Sequence, residues 1–260
     1  MTRRADVVID GSEYVLTCDE SGTVVAGGVA VADGRIITVG DVSEFQADRT
    51  IDASGCLVLP GLVNLHTHLP MTLLRGVAEG VDLQGFLERV WAEEARIMNP
   101  EGTYLGARLG ALEALLSGTT CTLDMYLHPE QAHRGAVEVG LRHVTGPVFF
   151  DQPGPDNLTW DQRIALAESW PETLLRIGGP SVPAFLMPHS PLIVAPEHLR
   201  QIHDLAERMG ARIHTHCSEN DKENAATEGA HGGRPTRLLD EDRKSTRLNS
   251  SHQIISYAVF

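Results

Sequence analysis

The sequence predicts an α/β protein in which a small β-rich N-terminal unit precedes part of a (β/α) barrel. Three observations predict it. Short alternating strands separated by turn residues fill the first 57 positions, and strands alternate with helical periodicity beyond residue 58. Polar residues capable of chemistry then fall at the carboxyl ends of successive strands, where barrels of this kind build their sites.

In the N-terminal region the predicted strands are Asp6–Ile9, Tyr14–Thr17, Gly28–Val31 and Arg35–Val39. The turn-rich pieces Asp19-Glu20-Ser21-Gly22 and Ala32-Asp33-Gly34 separate them, as hairpins require. Residues 1–57 are therefore read as a small β unit without chemistry of its own.

The barrel begins at the apolar run Leu57–Val63, which leads into Asn64-Leu65-His66-Thr67-His68 as strand one. Helical periodicity follows over Leu83–Ile97 and Tyr104–Leu116, and Thr119–Tyr126 reads as strand two, with Asp124 and His128 at its end. Strand three is Arg142–Phe150, strand four Ala184–His189 and strand five Ala211–Cys217, with helices over Ile164–Ser169 and Glu197–Met209 between them. A complete barrel takes eight strands and on the order of 250 residues. Residues 58–242 supply five strands, so the barrel is expected to be incomplete.

Composition narrows the function. The 260 residues are 42% apolar, enough for one large core or a barrel with a small appendage. With 35 acidic and 21 basic residues the formal charge is −14, which repels polyanions and argues against nucleic-acid or anionic-membrane partners. Cys18, Cys56, Cys121 and Cys217 are scattered without a Cys-x-x-Cys pair, so a reducing cytoplasm is the expected compartment. No run approaches the roughly 18 apolar residues of a membrane span.

His66 and His68 are separated by one residue at a strand end, so both imidazoles face the same way. A pair on a stiff strand suits one metal ion. A chance His-x-His in a chain with 12 histidines is the competing explanation.

The context Leu59–His68 followed by Pro70-Met71-Thr72-Leu73-Leu74-Arg75-Gly76 resembles the amidohydrolase superfamily, most closely its methylthioadenosine/S-adenosylhomocysteine deaminase branch. The resemblance implies a metal-dependent hydrolase (β/α)8 TIM barrel whose N-terminal unit is part of a β-sandwich completed by later strands. It implies metal binding by His66 and His68. The segment Ile213-His214-Thr215-His216-Cys217-Ser218-Glu219 resembles the strand-five signature, implying a third metal ligand at His216 and proton transfer by Glu219, with His214 as a competitor for the ion. His189 resembles a substrate-contacting histidine after strand four, and Glu94, in Val90–Arg96, a glutamate that recognises the purine edge. One divalent metal ion is implied, zinc or alternatively iron.

Two departures bear on the substrate. The S-adenosylhomocysteine deaminase pattern carries an arginine after strand three, where this chain has Gly146-Pro147, and another in the next loop, where Gln152–Asn157 stands. Adenosine-type substrates are thereby put in question. A strand-six histidine and a strand-eight aspartate of the family have no counterpart. From Arg243 to Phe260 the composition becomes basic, without acidic residues, and resembles a translated sequencing adapter; residues 243–260 are read as foreign, against a natural basic arm.

The expected function is hydrolytic deamination of an amino-substituted N-heterocycle or nucleoside, a small molecule, by metal-activated water. Two alternatives stay open. One is a chlorohydrolase or alkylamino-hydrolase of the same superfamily, and the other a truncated, non-catalytic metal-binding fragment. A truncated chain of this kind is expected to be inactive, while the full-length parent is free to form a homo-oligomer.

Overall fold

The computed structural model describes residues 3–178 and 183–244, the last four by backbone alone. They fall into two compact units, Met1–Gly61 and Leu62–Phe260. Among the described residues no helix is long and apolar enough to cross a membrane.

The first unit is a single sheet of β1 (Arg3–Leu16), β2 (Val24–Ala32), β3 (Arg35–Gly40), β4 (Phe45–Asp52) and β5 (Leu57–Val58), ordered β3-β2-β1-β4 with β5 also on β1. β1 and β2 run antiparallel, and β4 and β5 add to β1 in parallel. Ala5, Val8, Ala30 and Val42 form its small core. The two strands expected over Asp6–Ile9 and Tyr14–Thr17 are one strand with register shifts, because Ser12 pairs with Gly27 through the irregular stretch between them. β4 was not expected: none of its eight residues is buried and six are exposed, so it offers little alternation to read.

The second unit is an arc of parallel strands alternating with helices. β6 (Leu62–Thr67), β7 (Thr119–Asp124) and β8 (Arg142–Thr145) form one ladder, and β9 (Val148–Phe149), β10 (Phe185–Pro188) and β11 (Arg212–Ile213) the other. β8 and β9 are the two halves of the expected third strand. They part at Gly146-Pro147, where a Cβ on Gly146 would lie 1.9 Å from the Phe185 carbonyl oxygen. The strand thus pairs with β7 through its first half and with β10 through its second. This is a partial barrel of five strand positions, as expected.

The helices are α1 (Leu83–Ile97), α2 (Pro100–Leu116), α3 (Pro129–Glu138), α4 (Trp160–Ile177), α5 (Pro196–Met209), α6 (Asp221–His231) and α7 (Pro235–Lys244). Local chemistry marks their starts. Asp82 and Asn99 accept backbone N–H groups at the heads of α1 and α2, and Thr159 and Gln162 form a reciprocal capping box on α4. α5 has the strongest amphipathic pattern and buries Leu199, Ile202 and Leu205 with Phe149 and Leu186 of the sheet. The expected foreign tail lies, from residue 245 on, outside the described residues; α7 runs two residues past the expected boundary.

Candidate metal centre

β6 delivers the first two imidazoles. Asn64 accepts the His66 backbone N–H with its side-chain oxygen (3.0 Å), and a 3-10 turn, Leu69–Leu74, starts directly after His68. The end of β7 then grips His68. Its Nδ1 lies 2.8 Å from the Met125 carbonyl oxygen, and the next amide, Leu69 N–H, donates to Asp124 Oδ1 (2.8 Å).

The third imidazole comes from the far side of the arc. Only Arg212–Ile213 pair as a regular strand, yet the ladder-like bonds His214 N to Leu186 O (3.1 Å) and His216 N to His189 O (3.0 Å) carry the chain on to His216. His216 Nδ1 also lies 2.8 Å from the His189 carbonyl oxygen.

These holds bring His66, His68 and His216 together. Their ring centroids are 5.2, 5.1 and 5.2 Å apart, and one ligating atom from each lies within 4.8 Å of the others. His68 Nε2 is 3.3 Å from Nε2 of both His66 and His216. His214 is not part of this triad.

The hydrogen bonds dictate what these nitrogens can do. A carbonyl only accepts, so Nδ1 of His68 and of His216 must carry the proton. Burial, then His216, pushes His68 down to about 4; burial, then His189, holds His216 well below its ordinary value, and burial lowers His66. His68 and His216 are therefore neutral near pH 7, with bare Nε2 lone pairs facing each other at 3.3 Å. Two acceptors at that distance repel unless a cation lies between them, and fixing the distal nitrogen to a carbonyl is how metal-binding imidazoles are oriented. The triad fits a divalent ion.

Of the other expected site residues, His189 is in ring contact with the triad. His189 packs its ring 4.8 Å from His216 and 5.3 Å from Phe150, with Trp91 edge-on at 6.2 Å. Burial drives it down to about 3, and its Nδ1 is buried without a partner among the described residues. Glu219 sits three residues past His216, after Ser218, whose backbone is left-handed (φ 58°). Burial, then the neighbouring Glu223, raises Glu219 to about 7. Glu94 is buried on α1, accepts the Tyr126 hydroxyl (2.7 Å), and is raised by burial to about 7.

Sequence reasoning missed Tyr126 and Arg163. Arg163, from α4, is fully buried and donates to Asp156 through both terminal nitrogens (3.0 and 2.6 Å) and to the Val148 carbonyl (3.1 Å). Its guanidinium lies 4.7 Å above the Phe150 ring. An arginine thus reaches the loops after the third strand from a helix, although the two positions compared in the sequence hold none. Asp156, Arg163, Tyr126 and His128 line a cavity of about 210 Å³. The signal for this pair was the Asp and Arg seven residues apart, which only the intervening capped turn brings together.

Comparison with known proteins agrees with this geometry. A family model described as the amidohydrolase family matches residues 57–254. The chain is 38% identical over 236 residues to a 5-methylthioadenosine/S-adenosylhomocysteine deaminase of Pyrococcus furiosus, covering 90% of this chain and 54% of that protein. It is 35% identical over 242 residues to a 5'-deoxyadenosine deaminase of Methanothermobacter thermautotrophicus, again with 90% and 54% covered. Among solved structures, an adenosine deaminase from Xanthomonas campestris with bound zinc superposes with a TM-score of 0.84 at 29% identity, over 93% of this chain and 56% of that one. The chain spans about half the length of the curated relatives it matches.

Proposed function

Because the chain belongs to the amidohydrolase family, we propose that the protein is a metal-dependent hydrolase that deaminates an amino-substituted N-heterocycle, a purine nucleoside first among them. The observation that carries this reading is the pair of bare Nε2 atoms of His68 and His216 at 3.3 Å, each imidazole fixed through Nδ1 to a carbonyl. The names of the three relatives given above, each a deaminase of an adenosine compound, support the substrate class.

In this reading His66, His68 and His216 hold one divalent ion, zinc first and iron second. When bound, that ion supplies the Lewis acidity that makes water a nucleophile at neutral pH. Glu219 is the proton carrier. A carboxyl raised to about 7 is close to half ionised near neutrality, so it can take a proton from the attacking water and give it to the ring nitrogen beside the attacked carbon. Emptied of that proton, Glu219 then takes the proton of the added hydroxyl and passes it to the amino group, so that the C=O bond forms as the C–N bond breaks and ammonia leaves.

His189 and Glu94 hold the heterocycle. The unpartnered Nδ1 of His189 offers a hydrogen bond to a ring substituent, and Trp91 and Phe150 fix its ring by edge and tilted contacts. Tyr126 engages one Glu94 oxygen, which leaves the other to meet the purine edge. The domain assignment follows the same reading: a β-sandwich part over 1–57, an incomplete barrel over 58–242 and a foreign tail over 243–260.

The test combines zinc content of the purified chain with ammonia release from adenosine, methylthioadenosine, guanine and aminotriazines. Near-stoichiometric zinc with release from the adenosine compounds is the expected result for the parent enzyme. Zinc without ammonia from any of the four in the full-length parent would overturn deamination while sparing the metal centre. Absence of zinc would overturn the centre itself.

A further inference from the structure

Behind the metal triad, on the side of the sheet that faces the helices, three titratable side chains form a line that the proposed reaction does not use. Asp124 ends β7, His143 lies on the neighbouring strand β8, and His133 comes from α3; all three are fully buried. Asp124 pairs in register with Thr145 and His143 with Thr122, so Asp124 and His143 are diagonal neighbours on one face. His143 Nε2 lies 3.1 Å from Asp124 Oδ2, His143 Nδ1 lies 3.3 Å from His133 Nδ1, and His133 Nε2 lies 2.7 Å from the Gly178 carbonyl oxygen.

Counting protons along the line fixes how many it holds. The Gly178 carbonyl can only accept, so His133 Nε2 carries a proton. The Nδ1 to Nδ1 contact needs a second, and the contact with the Asp124 carboxyl a third. Two neutral imidazoles supply two. The extra proton is shared between the His143 ring and the carboxyl it touches; imidazole is ordinarily the stronger base of the two, and the Leu69 N–H donated to the other carboxyl oxygen (2.8 Å) favours placing it on the ring. Burial, then the neighbouring His143, pushes His133 down to about 4, in keeping with His133 as the neutral member.

We propose that His143 is a buried imidazolium, paired with the Asp124 carboxylate and steadied by neutral His133, and that this line is a positioning device for His68. Asp124 reaches His68 through the next amide, Leu69 N–H, and Met125, which follows Asp124, accepts His68 Nδ1. The line therefore ties α3, β8 and β7 to the turn that aims His68. The charge assignment stands on hydrogen-bond geometry and on the ordinary base strengths of imidazole and carboxylate; the consequence for metal binding rests on the proposed His66, His68 and His216 centre.

Asp124→Asn separates the charge from the scaffold. An asparagine can still accept Leu69 N–H with its oxygen and can donate its amide N–H to a neutral His143, so the shape survives and the third proton is no longer needed. Histidine-selective 15N NMR on the 260-residue chain reads both states. The expected result is two protonated ring nitrogens on His143 in the wild type and one bare, pyridine-type nitrogen in Asp124→Asn. A bare nitrogen on His143 in the wild type would overturn the charge assignment.

Positioning is read separately, with a folded Asp124→Ala variant verified by circular dichroism. In the metal-free chain the Leu69 amide and the His68 Nδ1–H should exchange slowly in the wild type and in Asp124→Asn, and faster in Asp124→Ala. Zinc affinity should stay close to the wild-type value in Asp124→Asn and fall about 10- to 100-fold in Asp124→Ala. Unchanged exchange in Asp124→Ala would overturn the positioning role. A wild-type chain that takes up no zinc would instead overturn the metal centre, with the NMR and exchange results still deciding the proposal.

Discussion

His216 shares one carbonyl, that of His189, between its backbone N–H and its Nδ1, so its ring is fixed in both position and tautomer before any ligand arrives. In the proposed centre, replacing it by alanine leaves two ligands, His66 and His68, in place of three. In His216→Ala, added zinc should therefore raise the melting temperature little, whereas it should raise that of the wild type, because a ligand stabilises only in proportion to its affinity for the folded state. Equal zinc-dependent shifts in both proteins would remove His216 from the centre. Glu94 gives a second test with a defined sign. Burial raises it from 4.5 to about 7, so below pH 4.5 folded and unfolded states both carry the proton and the group costs nothing. As pH rises from 4.5 to 7 the unfolded chain gives up the proton while the buried carboxyl keeps it, and stability falls by up to about 3 kcal/mol. Glu94→Gln keeps an acceptor for the Tyr126 hydroxyl and cannot ionise. Urea unfolding of the metal-free chain should find the variant more stable than the wild type at pH 8 and near parity at pH 4.5; the same difference at both values would mean that Glu94 is not shifted.

The 3-10 turn that follows His68 is seated on α2 by close backbone approach as well as by side chains: Thr72 Oγ1 donates to the Gly106 carbonyl (3.0 Å), and Leu69 packs with Ala107 and Ala111. A Cβ on Gly110 would come within 2.6 Å of the Leu69 carbonyl oxygen, closer than such atoms approach. Alanine is ordinarily the better helix former by up to about 1 kcal/mol. Here the clash should reverse that sign: Gly110→Ala should lower stability by about 1 to 3 kcal/mol and weaken zinc binding by displacing the turn, as measured by urea unfolding and zinc titration. A more stable variant would refute the close seating. Such contacts also explain what the sequence did and did not disclose. The helices α1, α2 and α5 were legible from periodicity, the pair His66 and His68 from its spacing at a strand end, and His216 and Glu219 from the resemblance of their segment to the family's strand-five signature. α3 was not legible, since its buried face is Ala132, His133, Gly135 and Ala136 in place of large apolar residues. Nor were the pairs Glu94 with Tyr126 and Asp124 with His143, which lie 32 and 19 residues apart and meet only when neighbouring elements pack.

Across the second unit, the outer face of α2 presents Leu105, Leu109, Leu112 and Leu116, from 42% to 88% exposed, at intervals of four and three residues. The edge strand β6 adds Leu62 and Val63, each more than half exposed. A leucine stripe at that spacing is the pattern by which two helices pack, and an apolar edge strand invites further pairing. Opposing both is the formal charge of −14, whose repulsion between copies is long-ranged at low salt and fades as the screening length shrinks from about 30 Å at 0.01 M to about 3 Å at 1 M. The balance therefore depends on ionic strength. Sedimentation velocity should find the chain largely monomeric near 0.01 M salt and increasingly associated as salt rises. Replacing Leu112 and Leu116 by glutamate should suppress association along the α2 stripe and leave a residue due to β6. If the wild type stays monomeric at high salt, the exposed leucines are not adhesive; if the double variant associates as strongly as the wild type, the edge strand dominates and α2 is not the contact.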